Sequence, residues 1–140
     1  MAIEMTGIHH SAVMVSDPER AGAFYRDVLG LEPIVTPSTF DFPDPSKRPQ
    51  WFRIGPRQQI HLQVGQPVHS PGRHMALEVA DIAEARRVLS EHGVAIDEVP
   101  QIPGSQRFYT RDPDGNTLEI MQWTVDWPAA DPAPVPPPGV

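Results

Sequence analysis

Four side chains of metal-binding type fall inside predicted strands: His10, His61, His74 and Glu119. Three imidazoles and a carboxylate suit a divalent ion such as nickel, zinc, manganese or iron. A single strand histidine is more often a hydrogen-bonded core residue or a surface residue, so none of the four carries weight alone. Their weight lies in their symmetry. A shift of 64 places His10 on His74, Ala12 on Ala76, Val15 on Val79, Asp17 on Asp81 and Ala21 on Ala85. A shift of 58 places Ile60-His61-Leu62 on Leu118-Glu119-Ile120. The chain is therefore an internal duplication, and the four residues occupy equivalent places in it.

The elements that must position them read as strand–helix–three strands, twice. Strands are predicted over 8–16, 31–35, 51–54 and 59–64, and again over 74–80, 94–99, 107–110 and 117–122. Asp17 and Asp81 have the place of helix N-caps, and Pro18 that of a first helical residue. The helices run to about Val28 and Glu91, and Gly30 and Gly93 close them. Ala21, Phe24, Tyr25 and Val28 form one apolar stripe, which makes Phe24 and Tyr25 helix-to-sheet core. Asp112-Pro-Asp-Gly reads as a hairpin turn, so Asp112, Asp114 and Gly115 are structural. Strand alternation puts His10 with Ala12 and Met14 on one face and Val13 and Val15 on the other. In the same way His74, Ala76 and Glu78 share a face, as do Gln59, His61 and Gln63, and Thr117, Glu119 and Met121. Two curved sheets facing each other across these surfaces would enclose a polar cavity. His9 has the opposite parity to His10 and is expected against the helix layer or solvent, while His69 and His92 are expected to be solvated.

The chain of 140 residues holds one compact domain or two small packed modules. Eighteen Asp and Glu against 11 Lys and Arg give a net charge of −7, with no basic cluster. That balance argues against nucleic acid and against an anionic membrane surface. No apolar run approaches the roughly 20 residues of a membrane helix. The absence of cysteine excludes disulfides, thiolate-held metals and thiol catalysis. No basic, then apolar, leader is visible at the start, so the expected location is cytoplasmic. Proline is concentrated in the tail 128–140, read as a solvated extension. The stretch 37–49 reads as a loop whose Phe40 and Phe42 cover something. The expected modules are 1–68 and 69–127, followed by the tail.

Three stretches resemble the vicinal-oxygen-chelate superfamily of glyoxalases, bleomycin-resistance proteins and extradiol dioxygenases. They are GIHHSAVMVSDPERAGAFYRDVLGLEP, RHMALEVADIAEARRVLSEHGV and RFYTRDPDGNTLEIMQ. The resemblance covers residues 7 to 123. It implies an α+β fold in which two tandem βαβββ modules form a curved, barrel-like mixed sheet around a central metal cavity. It also implies that His10, His61, His74 and Glu119 are the metal ligands. Bacterial glyoxalase I usually carries glutamate at the position of His61, a departure that matters because a ligand carboxylate there takes part in proton transfer. Extradiol dioxygenases and fosfomycin-inactivating transferases use the three positions of His10, His74 and Glu119. Other members bind ligands without metal.

The expectation from these readings is a glyoxalase-like, divalent-metal-dependent enzyme. It would act by proton transfer on a small oxygen-chelating substrate, with Glu119 or Glu78 moving the proton. The alternatives are an extradiol-type dioxygenase, a fosfomycin-type transferase, and a non-enzymatic ligand-binding resistance protein. Trp51, Arg53, Arg107 and Tyr109 flank the cavity strands and are candidate substrate contacts. Arg107 is the residue type to receive an anionic or oxygen-rich group. The four ligands are expected to converge on one ion. A homodimer is expected, because two modules leave sheet edges for a second copy.

Overall fold

The computed structural model describes residues 2–35, 43–44 and 47–125. Its first module runs β1 (His10–Val15), α1 (Pro18–Ala23), a π-helical turn (Phe24–Val28), β2 (Glu32–Ile34), β3 (Gln50–Ile54) and β4 (Gln58–Val64). The second runs β5 (Met75–Glu78), α2 (Ile82–Glu91), β6 (Ile96–Glu98), β7 (Ser105–Arg111) and β8 (Thr117–Trp123). The boundary drawn after residue 68 falls in the connection between β4 and β5. The proline-rich tail, Phe40 and Phe42 lie outside the described residues. No helix among the described residues is long and apolar enough to cross a membrane.

Both helices begin on the aspartates that the sequence singles out. Asp17 Oδ1 accepts from the backbone N–H groups of Glu19 and Arg20, each at 3.1 Å. Asp81 Oδ1 accepts from Ala83 and Glu84 at 2.9 and 3.0 Å. Each cap contributes about 1 kcal/mol. The first helix departs from the prediction after Ala23, where Leu29 N–H donates to Phe24 O, five residues back, at 3.1 Å. That wider turn still keeps Phe24 and Tyr25 buried. Gly30 and Gly93, at φ +70° and +68°, turn the chain out of the helices in the left-handed region.

The two sheets have the same topology, β1-β4-β3-β2 and β5-β8-β7-β6. In each, the first strand runs parallel to the last and the other pairs are antiparallel. Registers match as well. Ala12 stands opposite His61 and Trp51 opposite His61, just as Ala76 and Tyr109 stand opposite Glu119.

The sheets do not close into one barrel. Val13, Val15, Phe52, Ile60 and Leu62 pack on Ala21, Phe24 and Tyr25, and this cluster takes in Leu118 and Met75 from the second module. Phe108 and Ile120 pack with Ile82 and Leu89 of α2. Val28, Leu29 and Val94 touch both clusters. The helix-side surfaces of the two sheets thus share one apolar layer. An open cleft lies between the modules, to which the first contributes His10 and the second His74 and Glu78, so the expected cavity is open rather than the interior of a closed barrel.

Polar contacts between the modules come from the Asp112–Asn116 turn. Tyr25 donates its hydroxyl to Asp112 Oδ2 at 2.9 Å, and Asn116 Nδ2 donates to the same oxygen and to Met14 O. Asp114 accepts from the Ser16 N–H and hydroxyl. Burial first, and Asp112 second, push the Tyr25 hydroxyl far above its ordinary pKa, so it stays a donor.

Candidate metal centre

Parity on β5 and β8 brings His74 and Glu119 together. His74 stands two residues before Ala76, whose register partner is Glu119. The side chains meet with Nε2 and Oε2 2.9 Å apart. Their other atoms are also held. His74 Nδ1 lies 2.9 Å from the Gly72 carbonyl, an acceptor only, so Nδ1 donates there, and Nε2 is the nitrogen that faces the Glu119 carboxylate and would turn its lone pair to an ion. Glu119 Oε1 accepts from Arg107 Nη1 at 2.9 Å, and Arg107 Nε donates to Pro100 O at 3.0 Å. Two donors 2.0–2.2 Å from one ion and at right angles to it lie about 3 Å apart. The chemistry of this pair therefore fits a shared divalent ion, with outer partners that orient each donor.

The matching place in the first sheet holds His10 and His61, with ring centroids 5.2 Å apart. Trp51 stacks on His61 at 4.5 Å and meets His10 edge-on at 5.1 Å. His61 is buried, and its Nδ1 has no hydrogen-bond partner, like Trp51 Nε1 beside it. Desolvation first, and His10 second, lower the His61 pKa below its ordinary 6.5. The ring is neutral at pH 7, as a metal ligand must be.

The structure brings the four predicted ligands together as two pairs, one on each sheet. Among the described residues, no group of three or more His, Asp or Glu side chains converges as a metal site. A cleft of about 840 Å³ between the modules is lined by His9, His10, His74 and Glu78, among others. Glu78 is exposed on the His74 face of β5, and no ion pair engages it among the described residues.

Of the residues expected at the substrate, Tyr109 lies against the His74 ring, with centroids 5.3 Å apart. Trp51 lies between His10 and His61. Arg107 faces the site but is committed to Glu119 and Pro100. Arg53 is exposed and ion-paired with Glu32 at 2.9 Å. Its equivalent, Arg111, pairs with Asp97 in the same way. His9, which parity assigns to the helix layer or solvent, is exposed but turns its ring onto His10, Nδ1 to Nδ1, at 2.8 Å. Parity does not reveal that contact because β1 starts only at His10.

The family model of the Glyoxalase/Bleomycin resistance protein/Dioxygenase superfamily matches residues 7–120. The chain is similar to a putative glyoxalase family protein from Bacillus anthracis, with 32% identity and a TM-score of 0.74 over 88% of this chain and 99% of that one. It is similar to a lactoylglutathione lyase from Agrobacterium tumefaciens, at 26% identity and a TM-score of 0.66 over 85% and 95% of the two chains. It also resembles TnmS3, an antibiotic binding protein from Streptomyces sp. CB03234, at 26% identity and a TM-score of 0.69 over 87% and 99%.

Proposed function

Because the chain belongs to the glyoxalase, bleomycin-resistance and dioxygenase superfamily, we propose that it is a divalent-metal-dependent enzyme. It acts by proton transfer on a small substrate that presents two adjacent oxygens. The observation that carries this reading is the His74–Glu119 pair, with two donor atoms 2.9 Å apart and both outer atoms engaged. When bound, the ion supplies Lewis acidity toward the substrate oxygens. The ligands are His10, His61, His74 and Glu119.

The chain's own residues divide the remaining work. Arg107 holds Oε1 of Glu119 and so presents Oε2 to the ion. Both carboxylate oxygens of Glu119 are thereby committed. The carboxylate left to carry a proton is Glu78, exposed on the same face of β5. Trp51 and Tyr109 wall the site with aromatic surface that excludes water from one side of a bound substrate.

His10 and His61 belong to one module and His74 and Glu119 to the other, and no three of the four converge among the described residues. The reading therefore includes a cytoplasmic homodimer, in which His10 and His61 of one copy complete the set begun by His74 and Glu119 of the other. Elemental analysis of the purified protein, then titration of metal-free protein with nickel, zinc, manganese and iron(II), tests it. About one ion per chain is expected. Loaded protein is then offered 2-oxoaldehyde–thiol adducts, catechols and fosfomycin, and turnover of the adducts is expected.

A second reading is a ligand-sequestering protein without metal. The aromatic wall at Trp51, the absence of a three-ligand cluster among the described residues and the likeness to an antibiotic binding protein support it. Failure to bind any ion, together with tight binding of an aromatic compound, would favour it.

A further inference from the structure

His9 precedes the first residue of β1, so strand alternation does not dictate where its side chain goes. Its backbone is anchored, since its carbonyl accepts from Gln59 N–H at 3.3 Å. Its exposed ring folds onto that of His10, edge to face, with centroids 5.1 Å apart. The two Nδ1 atoms lie 2.8 Å apart. At that distance one nitrogen donates a proton and the other accepts it.

The equivalent residue of the second module shows which way the bond runs. His74 gives its Nδ1–H to a backbone carbonyl, that of Gly72. That bond commits Nδ1 and leaves Nε2 as the nitrogen that faces Glu119. Among the described residues the His10 ring has no carbonyl partner; it has His9. We infer that His9 is a positioning residue of the metal centre. Its Nδ1 accepts the Nδ1–H of His10, fixes the His10 tautomer and leaves His10 Nε2 as the donor atom. The inference rests on the metal-centre reading given above. It differs from the alternative in which both Nδ1 atoms bind one ion directly.

The test uses the whole protein and zinc as the probe. Long-range proton–nitrogen NMR spectra at about pH 8, where free imidazoles are neutral, report the His10 tautomer. Metal-free protein is expected to show His10 protonated on Nδ1, and zinc is expected to perturb His10 Nε2. In His9→Ala the tautomer preference is lost, and zinc affinity by calorimetry falls about tenfold or more. His9→Asn places an acceptor oxygen where Nδ1 stood and restores most of that affinity. His10 protonated on Nε2 in metal-free protein would overturn the inference. So would zinc on His10 Nδ1, or wild-type affinity in His9→Ala. If wild-type protein takes up no zinc, the metal reading fails, while the metal-free spectrum still decides the His9–His10 contact separately.

Discussion

The two modules share topology, capping and register, yet their half-sites are built differently. The second is wired: His74 is held by Gly72, Glu119 by Arg107, and Arg107 by Pro100. The first is walled: His10 and His61 lie against Trp51, and His61 Nδ1 is buried without a partner. Oriented donors with a carboxylate among them bind an ion strongly, because little reorganisation accompanies binding and charge is compensated. Imidazoles against an aromatic wall contribute less compensating charge than a carboxylate and more apolar surface. A duplication has thus diverged into a half whose polar side chains are held by hydrogen bonds and a half whose imidazoles pack on an aromatic ring.

Glu119→Ala should give the largest effect. It removes the only carboxylate donor and strands Arg107, so metal affinity should fall by more than about 100-fold in calorimetry. Arg107→Met keeps the alkyl stem and the carboxylate but frees Oε1. Affinity should then fall about 10–100-fold, with the His74–Gly72 contact unchanged by NMR. Tyr25→Phe should leave metal affinity at its wild-type value and lower stability to urea by about 1–2 kcal/mol, because it cuts one buried hydrogen bond between the modules.

Among substitutions of the proposed ligands, His61→Leu should be the mildest for metal binding and leave a site that can still be loaded. Complete loss of the ion in this variant, with retention in Glu119→Ala, would invert the comparison. Without metal, His61→Leu should gain up to about 1 kcal/mol, since a buried, unpaired nitrogen is gone. The native pKa of His61 lies below 6.5, so the unfolded chain takes up the proton first as pH falls. The stability that His61 contributes is complete above about pH 6.5 and is lost as pH drops toward its lower native value. Melts of metal-free His61→Leu should lack that part of the acid slope.

Much of the molecule was legible before its structure. Asp17 and Asp81 announce both helices through the spacing of cap and apolar stripe, and Gly30 and Gly93 end them. The duplication and strand parity place His10, His61, His74 and Glu119 at equivalent positions, while the grouping of His10 with His61 and of His74 with Glu119 comes from the pairing of β1 with β4 and of β5 with β8. Other features depend on contacts between distant residues. Val28 and Leu29 pack against both modules, and so set the sheets side by side on one apolar layer. Periodicity within one module carries no trace of that. The stripe Phe24, Tyr25 and Val28 has the same spacing in an α-helix as in the π-helical turn that forms. Arg107 is opposite Met121 in the ladder, and only its length and direction take it diagonally to Glu119. His9 lies outside the strand whose alternation orients its neighbour.

The central claim is one ion held by His10 and His61 of one copy and His74 and Glu119 of another. Two metal-free variants test it directly when mixed: His10→Ala with His61→Ala in one chain, and His74→Ala with Glu119→Ala in the other. Neither variant alone should bind zinc tightly. After subunit exchange, half the mixed population carries one intact site, so tight zinc binding should return to roughly a quarter of the wild-type capacity. A mixture that binds no zinc, beside wild-type protein that does, would show that each centre forms within a single chain and contradict the account.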